Sequence, residues 1–220
     1  MVEISTSVLN VKKDDYVHTF YNLETAKTDY FHIDVMDGRF VENNTSEMMR
    51  EYAVALSHIT TLGLDVHLMV ENVEEYIDEY LDLEPRIITF HIEAVKDKAR
   101  ILKIINDLKE NNIRVGLAIN PATKLEEINE YLPLIHMALV MTVVPGKGGQ
   151  ALIPETLEKI KELKKYITEN NIDIDIEADG GINDKNVQDV ANSGANIIVA
   201  GSYIVNAENP KEAIEKLKNI

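Results

Sequence analysis

The feature that most constrains this chain is an alternation. Short runs rich in β-branched and aliphatic residues are separated by longer charged stretches whose apolar residues fall three and four apart. This pattern marks repeated βα units on a parallel sheet, because each strand must be followed by a crossover before the next can pair beside it. Eight strands are predicted, over residues 2–7, 29–35, 63–69, 87–92, 114–119, 137–142, 173–178 and 196–200. Segments 73–83, 99–111, 154–170 and 184–193 carry helical periodicity, with Gly194 and Asn170–Asn171 as expected stops. A length of 220 residues suits one closed (β/α)8 TIM barrel of the α/β class, with residues 1–220 as a single domain. The rival, an open doubly wound sheet, would want a glycine fingerprint after the first strand, and none is there.

Composition narrows the chemistry. An apolar share of 45% fills a sizeable core, and a net charge of −16 with no basic stripe argues against a nucleic-acid partner. The same charge leaves room for a small phosphorylated ligand, since backbone N–H groups at helix starts can hold phosphate with few cations. The absence of cysteine excludes disulfides, thiolate ligands and cysteine nucleophiles. No apolar run approaches membrane-spanning length and the first residues lack a secretory layout, so the expected setting is cytoplasmic, without a membrane partner.

A barrel of this class carries its chemistry at the carboxyl ends of the strands. The second predicted strand ends in His32-Ile33-Asp34, and residues two apart on a strand face the same way, so His32 and Asp34 can share one ion. His67 stands at equivalent depth on the third strand, and Asp179 brings a carboxylate from the seventh. Two imidazoles and two carboxylates suit one divalent metal ion: Zn²⁺, Fe²⁺, Mn²⁺ or Co²⁺. A histidine in a strand is usually a satisfied polar residue. Joint placement of all four groups at one rim, where burying charge is expensive, favours the ion. His91 and Glu93 repeat the spacing on the fourth strand and are read as partners that hold a ligand in place, ahead of the alternative that they are a rival ligand pair. Asp37 and Asp65 are expected to orient the site, whereas His136 should lie at the opposite end of the barrel, and His18 and His58 on helices.

Glycines follow three late strands, at Gly146, Gly148 and Gly149, at Gly180 and Gly181, and at Gly201 before Ser202. Glycine lets backbone approach an anion closely, and the last loops of such barrels commonly cradle phosphate. Met36, Met69 and Met141 at strand ends are more often core filler, but can line a water-poor mouth.

The stretches F-H-I-D-V-M-D-G-R-F, L-D-V-H-L-M, V-V-P-G-K-G-G-Q and E-A-D-G-G-I, in this order, closely resemble the ribulose-phosphate 3-epimerase family. Ser7-Val8-Leu9-Asn10, Gly116 to Pro121 and Val199 to Ser202 extend the likeness over essentially the whole chain. The resemblance implies that His32, Asp34, His67 and Asp179 bind the metal and that Asp34 and Asp179 are the acid/base pair. It also implies that Ser7 and His67 touch substrate, that Gly146, Lys147, Gly148, Gly149, Gly180, Gly181, Gly201 and Ser202 surround it, and that the protein is a homo-oligomer.

In that family's reaction D-ribulose 5-phosphate and D-xylulose 5-phosphate interconvert. Removing the C3 proton beside the C2 ketone gives an enediolate that either face can reprotonate, so two carboxylates are needed. Three positions depart from the family pattern: Lys147 stands for a common aromatic, Arg39 for a common histidine, and Glu42 to Thr45 for a more apolar turn. These leave the catalytic positions intact but open the substrate question, and the loop around Asn44 is expected to close less tightly. A six-carbon relative such as a D-allulose-6-phosphate 3-epimerase is the first alternative. A non-catalytic sugar-phosphate-binding barrel is the alternative of another class, and a Schiff-base aldolase or a decarboxylase ranks below both.

Overall fold

Eight parallel strands pair in chain order and close on themselves, the first against the last. The computed structural model describes residues 2–220. The strands are β1 (Glu3–Ser7), β2 (Tyr30–Met36), β3 (Gly63–Met69), β4 (Ile87–His91), β5 (Arg114–Ile119), β6 (Met137–Met141), β7 (Asp175–Asp179) and β8 (Ile197–Ala200). Closure settles the choice between barrel and open sheet in favour of the barrel.

Around it lie α1 (Tyr16–Thr25), α2 (Ser46–Ile59), α3 (Val73–Tyr80), α4 (Lys98–Glu110), α5 (Glu155–Glu169), α6 (Val187–Ser193), α7 (Ser202–Val205) and α8 (Pro210–Lys218). Each long helix turns an apolar stripe inward: α4 buries Ile101, Ile104, Ile105 and Leu108, three and four residues apart. Each such side chain contributes roughly 1.5–3 kcal/mol on leaving water. Asp97 caps α4 by accepting from the Arg100 amide, and Gly194 ends α6 at φ 121°, as its position suggested.

Two departures from the expected pattern have local causes. No α-helix links β5 to β6; Leu125–Glu127 and Leu132–Leu134 form 3-10 turns instead, and Pro133 sits in the second, where a longer helix would lose an amide bond. The seventh strand begins later than expected, at Asp175, and runs through Asp179. Residues ahead of it are spent closing α5, with Asn171 left-handed at φ 53° and the Ile172 amide bonded to the Ile167 carbonyl.

Strand alternation divides the core in two. Outward residues such as Phe31, Ile33 and Val35 join the large helix-packed core. Of the inward residues, Ile87, Met137 and Ile197 plug the barrel floor against Tyr30, while Ala118, Leu139, Met141 and Val143 fill the β5–β6 side. What remains of the interior is polar yet buried: His32, Asp34, Asp65, His67, Thr89, His91 and Glu177.

Candidate active site

Register sets the site. In the β2–β3 ladder His32 stands beside Asp65 and Asp34 beside His67, while β7 carries Glu177 and Asp179. These side chains meet inside the barrel. His32 Nε2 lies 3.3 Å from Asp34 Oδ1 and 3.8 Å from Asp179 Oδ2; His67 Nδ1 lies 3.4 and 3.5 Å from the same two oxygens. All four donor atoms fall within 4.8 Å of one another. Tetrahedral donors at bonds of about 2.0–2.2 Å sit roughly 3.3–3.6 Å apart, so this spacing is that of a coordination shell.

The fit to a cation rests on two orphaned atoms. Among the described residues, His32 Nε2 and His67 Nδ1 are fully buried ring nitrogens without a hydrogen-bond partner, and they are the two that face the carboxylates. A buried nitrogen left unpaired is costly unless something else occupies its lone pair.

The opposite ring nitrogens are engaged. His32 Nδ1 lies 2.7 Å from Asp65 Oδ2, which also accepts from Ser5 Oγ at 2.7 Å. His67 Nε2 lies 2.8 Å from His91 Nε2, and His91 Nδ1 lies 3.0 Å from Glu93 Oε2. Asp34 is steadied on its other side by Ser7 Oγ, which donates to Oδ2 at 2.7 Å, and its carbonyl accepts from Thr45 Oγ1 at 2.6 Å.

Charge follows geometry. Burial alone would raise the Asp34 carboxyl, but the two imidazoles of His32 and His67 beside it hold it well below the usual carboxylate range. For His32, burial is outweighed by Asp65 and Asp34, which raise it well above the ordinary imidazole value. Glu177 goes the other way: burial first, then the charge of Asp65, push it far up, whereas His32 beside Asp65 outweighs burial there and lowers it.

Above the cluster a cavity of about 140 Å³ opens at the carboxyl ends of the strands, lined by Asp34, Asp179 and Ser7 with the late glycine loops. Gly146, Lys147, Gly148, Gly149, Gly180, Gly181, Gly201 and Ser202 all stand on its wall, as do Met36, Met69 and Met141. His67 does not; it is wholly buried behind the carboxylates, with one nitrogen toward them and one toward His91. Gly181 sits at φ 68°, and a Cβ there would lie 2.4 Å from the Leu152 amide nitrogen, so side chains larger than hydrogen are excluded where this loop turns over the cavity.

The other histidines lie away from the cluster. His136 stands before β6 at the far end of the barrel, its Nδ1 accepting from the Val115 amide, and His18 and His58 are exposed on α1 and α2. Asp37 ties two loops, accepting from the Arg39 and Phe40 amides and from Glu71. The loop around Asn44 is not slack. An Asp37–Asn44 bridge and a bond from the Gly38 amide to the Asn43 carbonyl, 3.0 Å long, fasten it to itself. Lys147 is exposed in its loop, whose backbone Gln150 clamps through the carbonyls of Val144 and Lys147.

Sequence reasoning assigned no role to Ser5, Glu177, Thr45 or Asn10. The signal for the first two was present, since Ser5 lies two before Ser7 and Glu177 two before Asp179 on the same strand faces. Asn10 has no such signal: its side chain meets Gly148 across the cavity mouth, where a Cβ would be 2.6 Å from its Oδ1.

Fold and site together define a (β/α)8 barrel with two histidines and two carboxylates gathered at the carboxyl ends of its strands, in a group that could hold a metal ion. The model of the ribulose-phosphate 3 epimerase family matches residues 3–205. A ribulose-phosphate 3-epimerase of Helicobacter pylori J99 is 36% identical, over 100% of this chain and 98% of its own length. One from Methanocaldococcus jannaschii is 39% identical, over 99% of this chain and 90% of its own. Among solved structures, the 3-keto-L-gulonate-6-phosphate decarboxylase of Vibrio cholerae superposes with a TM-score of 0.71 at 14% identity, covering 100% of this chain and 95% of its own, a likeness of fold. The chain belongs to the ribulose-phosphate 3-epimerase family.

Proposed function

We propose that this chain, as one catalytic unit over residues 1–220, epimerises a ketose phosphate at C3, interconverting D-ribulose 5-phosphate and D-xylulose 5-phosphate. The observation that carries the reading is the approach of Asp34 and Asp179 to one point from β2 and β7, both on the cavity wall. Family membership supplies the reaction type, and the pocket supplies the means.

His32, Asp34, His67 and Asp179 would hold one divalent ion, and their two nitrogens and two oxygens suit Zn²⁺, Fe²⁺, Mn²⁺ or Co²⁺. Bound, it supplies Lewis-acid stabilisation of the negative charge that develops beside the ketone. The chain's own residues do the rest. One aspartate takes the C3 proton while the other, on the opposite face, returns one, and the roles exchange with direction. Ser7 donates to Asp34 Oδ2 and so leaves Oδ1 directed at the cluster. The loops at Gly180–Gly181 and Gly201–Ser202 line the same cavity, where their amides would receive the phosphate, and the three methionines would keep the reacting end poor in water.

The test is direct. Incubated in D₂O with D-ribulose 5-phosphate and one equivalent of metal, the protein should form D-xylulose 5-phosphate with deuterium at C3. D-allulose 6-phosphate, run in parallel, should turn over at a lower kcat/KM. Preference for the six-carbon substrate would overturn the substrate assignment, and binding without exchange would make the barrel a carrier instead.

A further inference from the structure

We propose that Glu93 and His91 are positioning residues, a relay that locks His67 in the tautomer whose bare Nδ1 faces the ion-binding cluster. The inference rests on the reading of His67 as a ligand. Start from the fixed end. Glu93 Oε1 accepts from the Asn120 amide at 2.7 Å and from the Thr123 hydroxyl, so Oε2 is the atom left for His91. The loop that provides these donors is held in turn by Lys159 of α5, whose ammonium donates to the carbonyls of Asn120, Pro121 and Thr123 at 2.9, 2.7 and 2.5 Å. Glu93 therefore cannot readily turn away.

A carboxylate accepts and does not donate, so the proton of this contact sits on His91 Nδ1. The carboxylate that His91 touches lies at Nδ1, and at Nε2 it meets only the ring nitrogen of His67, so one proton on Nδ1 satisfies both contacts. His91 is then neutral, with Nε2 bare. That atom faces His67 Nε2 at 2.8 Å, and one proton must lie between two nitrogens so close. It belongs to His67. The rings are within 21° of parallel with centroids 5.0 Å apart, the arrangement of an in-plane N–H···N bond, and Phe40 packs on His91 with ring centroids 5.0 Å apart. With its proton committed to Nε2, a neutral His67 presents a lone pair at Nδ1, one of the two orphaned nitrogens of the cluster. Asp65 holds the Nδ1 side of His32 directly; the far side of His67 is held through two residues.

The relay makes an unusual prediction for the near-isosteric Glu93→Gln. Oε1 must still accept from the Asn120 amide, so the new amide NH₂ falls where Oε2 was and donates to His91 Nδ1. Each proton along the chain then shifts by one place, and His67 acquires a proton on the nitrogen that should bind the ion.

Long-range ¹H–¹⁵N correlation of the histidine rings in the metal-free protein should find His91 protonated at Nδ1 and His67 at Nε2 in the wild type, and both inverted in Glu93→Gln. Co²⁺ titration against a chelator should find affinity reduced by about ten- to a hundred-fold in Glu93→Gln, with a weakened visible Co²⁺ spectrum. Adding His91→Ala to Glu93→Gln should recover part of that loss, because cutting the relay frees the blocked nitrogen. If the two residues merely satisfy each other, Glu93→Gln binds Co²⁺ as the wild type does and the double variant is the weaker, and the relay is refuted. A wild type with His67 protonated at Nδ1 refutes it even if the variants do not fold. A wild type that binds no Co²⁺ at the cluster defeats instead the metal reading on which the relay stands.

Discussion

Asp34 and Asp179 differ in support although they share a task. Asp34 is held by Ser7 and lies at the meeting of two imidazoles, while Asp179 keeps 13% of its side chain exposed at the cavity wall. Loss of either carboxylate should remove proton transfer on one face. Asp34→Asn and Asp179→Asn are each expected to lower kcat by roughly 10²–10⁴ and to abolish C3 deuterium exchange from one epimer, as followed by NMR. Unchanged exchange in both would contradict the two-aspartate mechanism. Glu93 yields a pH prediction. Burial would raise its carboxyl, but the hydrogen bonds from His91, Thr123 and the Asn120 amide depress it from 4.5 to about 2. A depressed folded pKa stabilises above the unfolded value and ceases to as pH falls through the folded one. The stability advantage of wild type over Glu93→Gln, at most roughly 3 kcal/mol at neutrality, should therefore shrink between about pH 4.5 and 2 in urea titrations.

Elements place these residues, and their register is what a lone sequence conveys least. The spacing of His32 and Asp34 was legible because strand period is local, and β2 and β3 fall where alternation predicts them. The links from Ser5 to Asp65 and from His67 to His91, and the approach of Glu177 to Asp65 and His32, were not, since each depends on how different strands align in the closed barrel. The β5–β6 connection escaped expectation for another reason: its 3-10 turns carry neither strand nor helix period. Register also explains Gly116 on β5, which stands beside Thr89 of β4. A Cβ there would lie 2.0 Å from Thr89 Oγ1, inside the barrel. Gly116→Ala should cost about 1–3 kcal/mol in urea unfolding, and pairing it with Thr89→Ala should return part of that loss. Full stability in the single variant would mean that the interior is looser than this register implies.

At the scale of the whole molecule, the barrel holds a polar half-interior that its apolar clusters do not fill, and a cation held by His32, Asp34, His67 and Asp179 would compensate it. Among the described residues no helix is long and apolar enough to cross a membrane, and the chain's charge of −16 is mostly spread over its outer surface. Chelation should therefore destabilise the protein as well as silence it. Metal at a hundred times its Kd adds about 2.7 kcal/mol, which for a chain of this size raises Tm by roughly 5–10 °C over the metal-free form. Calorimetry with and without EDTA measures it, and an unchanged Tm would deny the ion its place in the fold.

The most direct measurement is anomalous diffraction from crystals grown with Co²⁺ or Zn²⁺ and a non-reacting ketose phosphate analogue. One ion per chain is expected, bound by His32 Nε2, Asp34, His67 Nδ1 and Asp179, with the phosphate at Gly180–Gly181 and Gly201–Ser202. An ion bound elsewhere, or a ligand whose reacting carbon lies out of reach of either aspartate, would contradict the account.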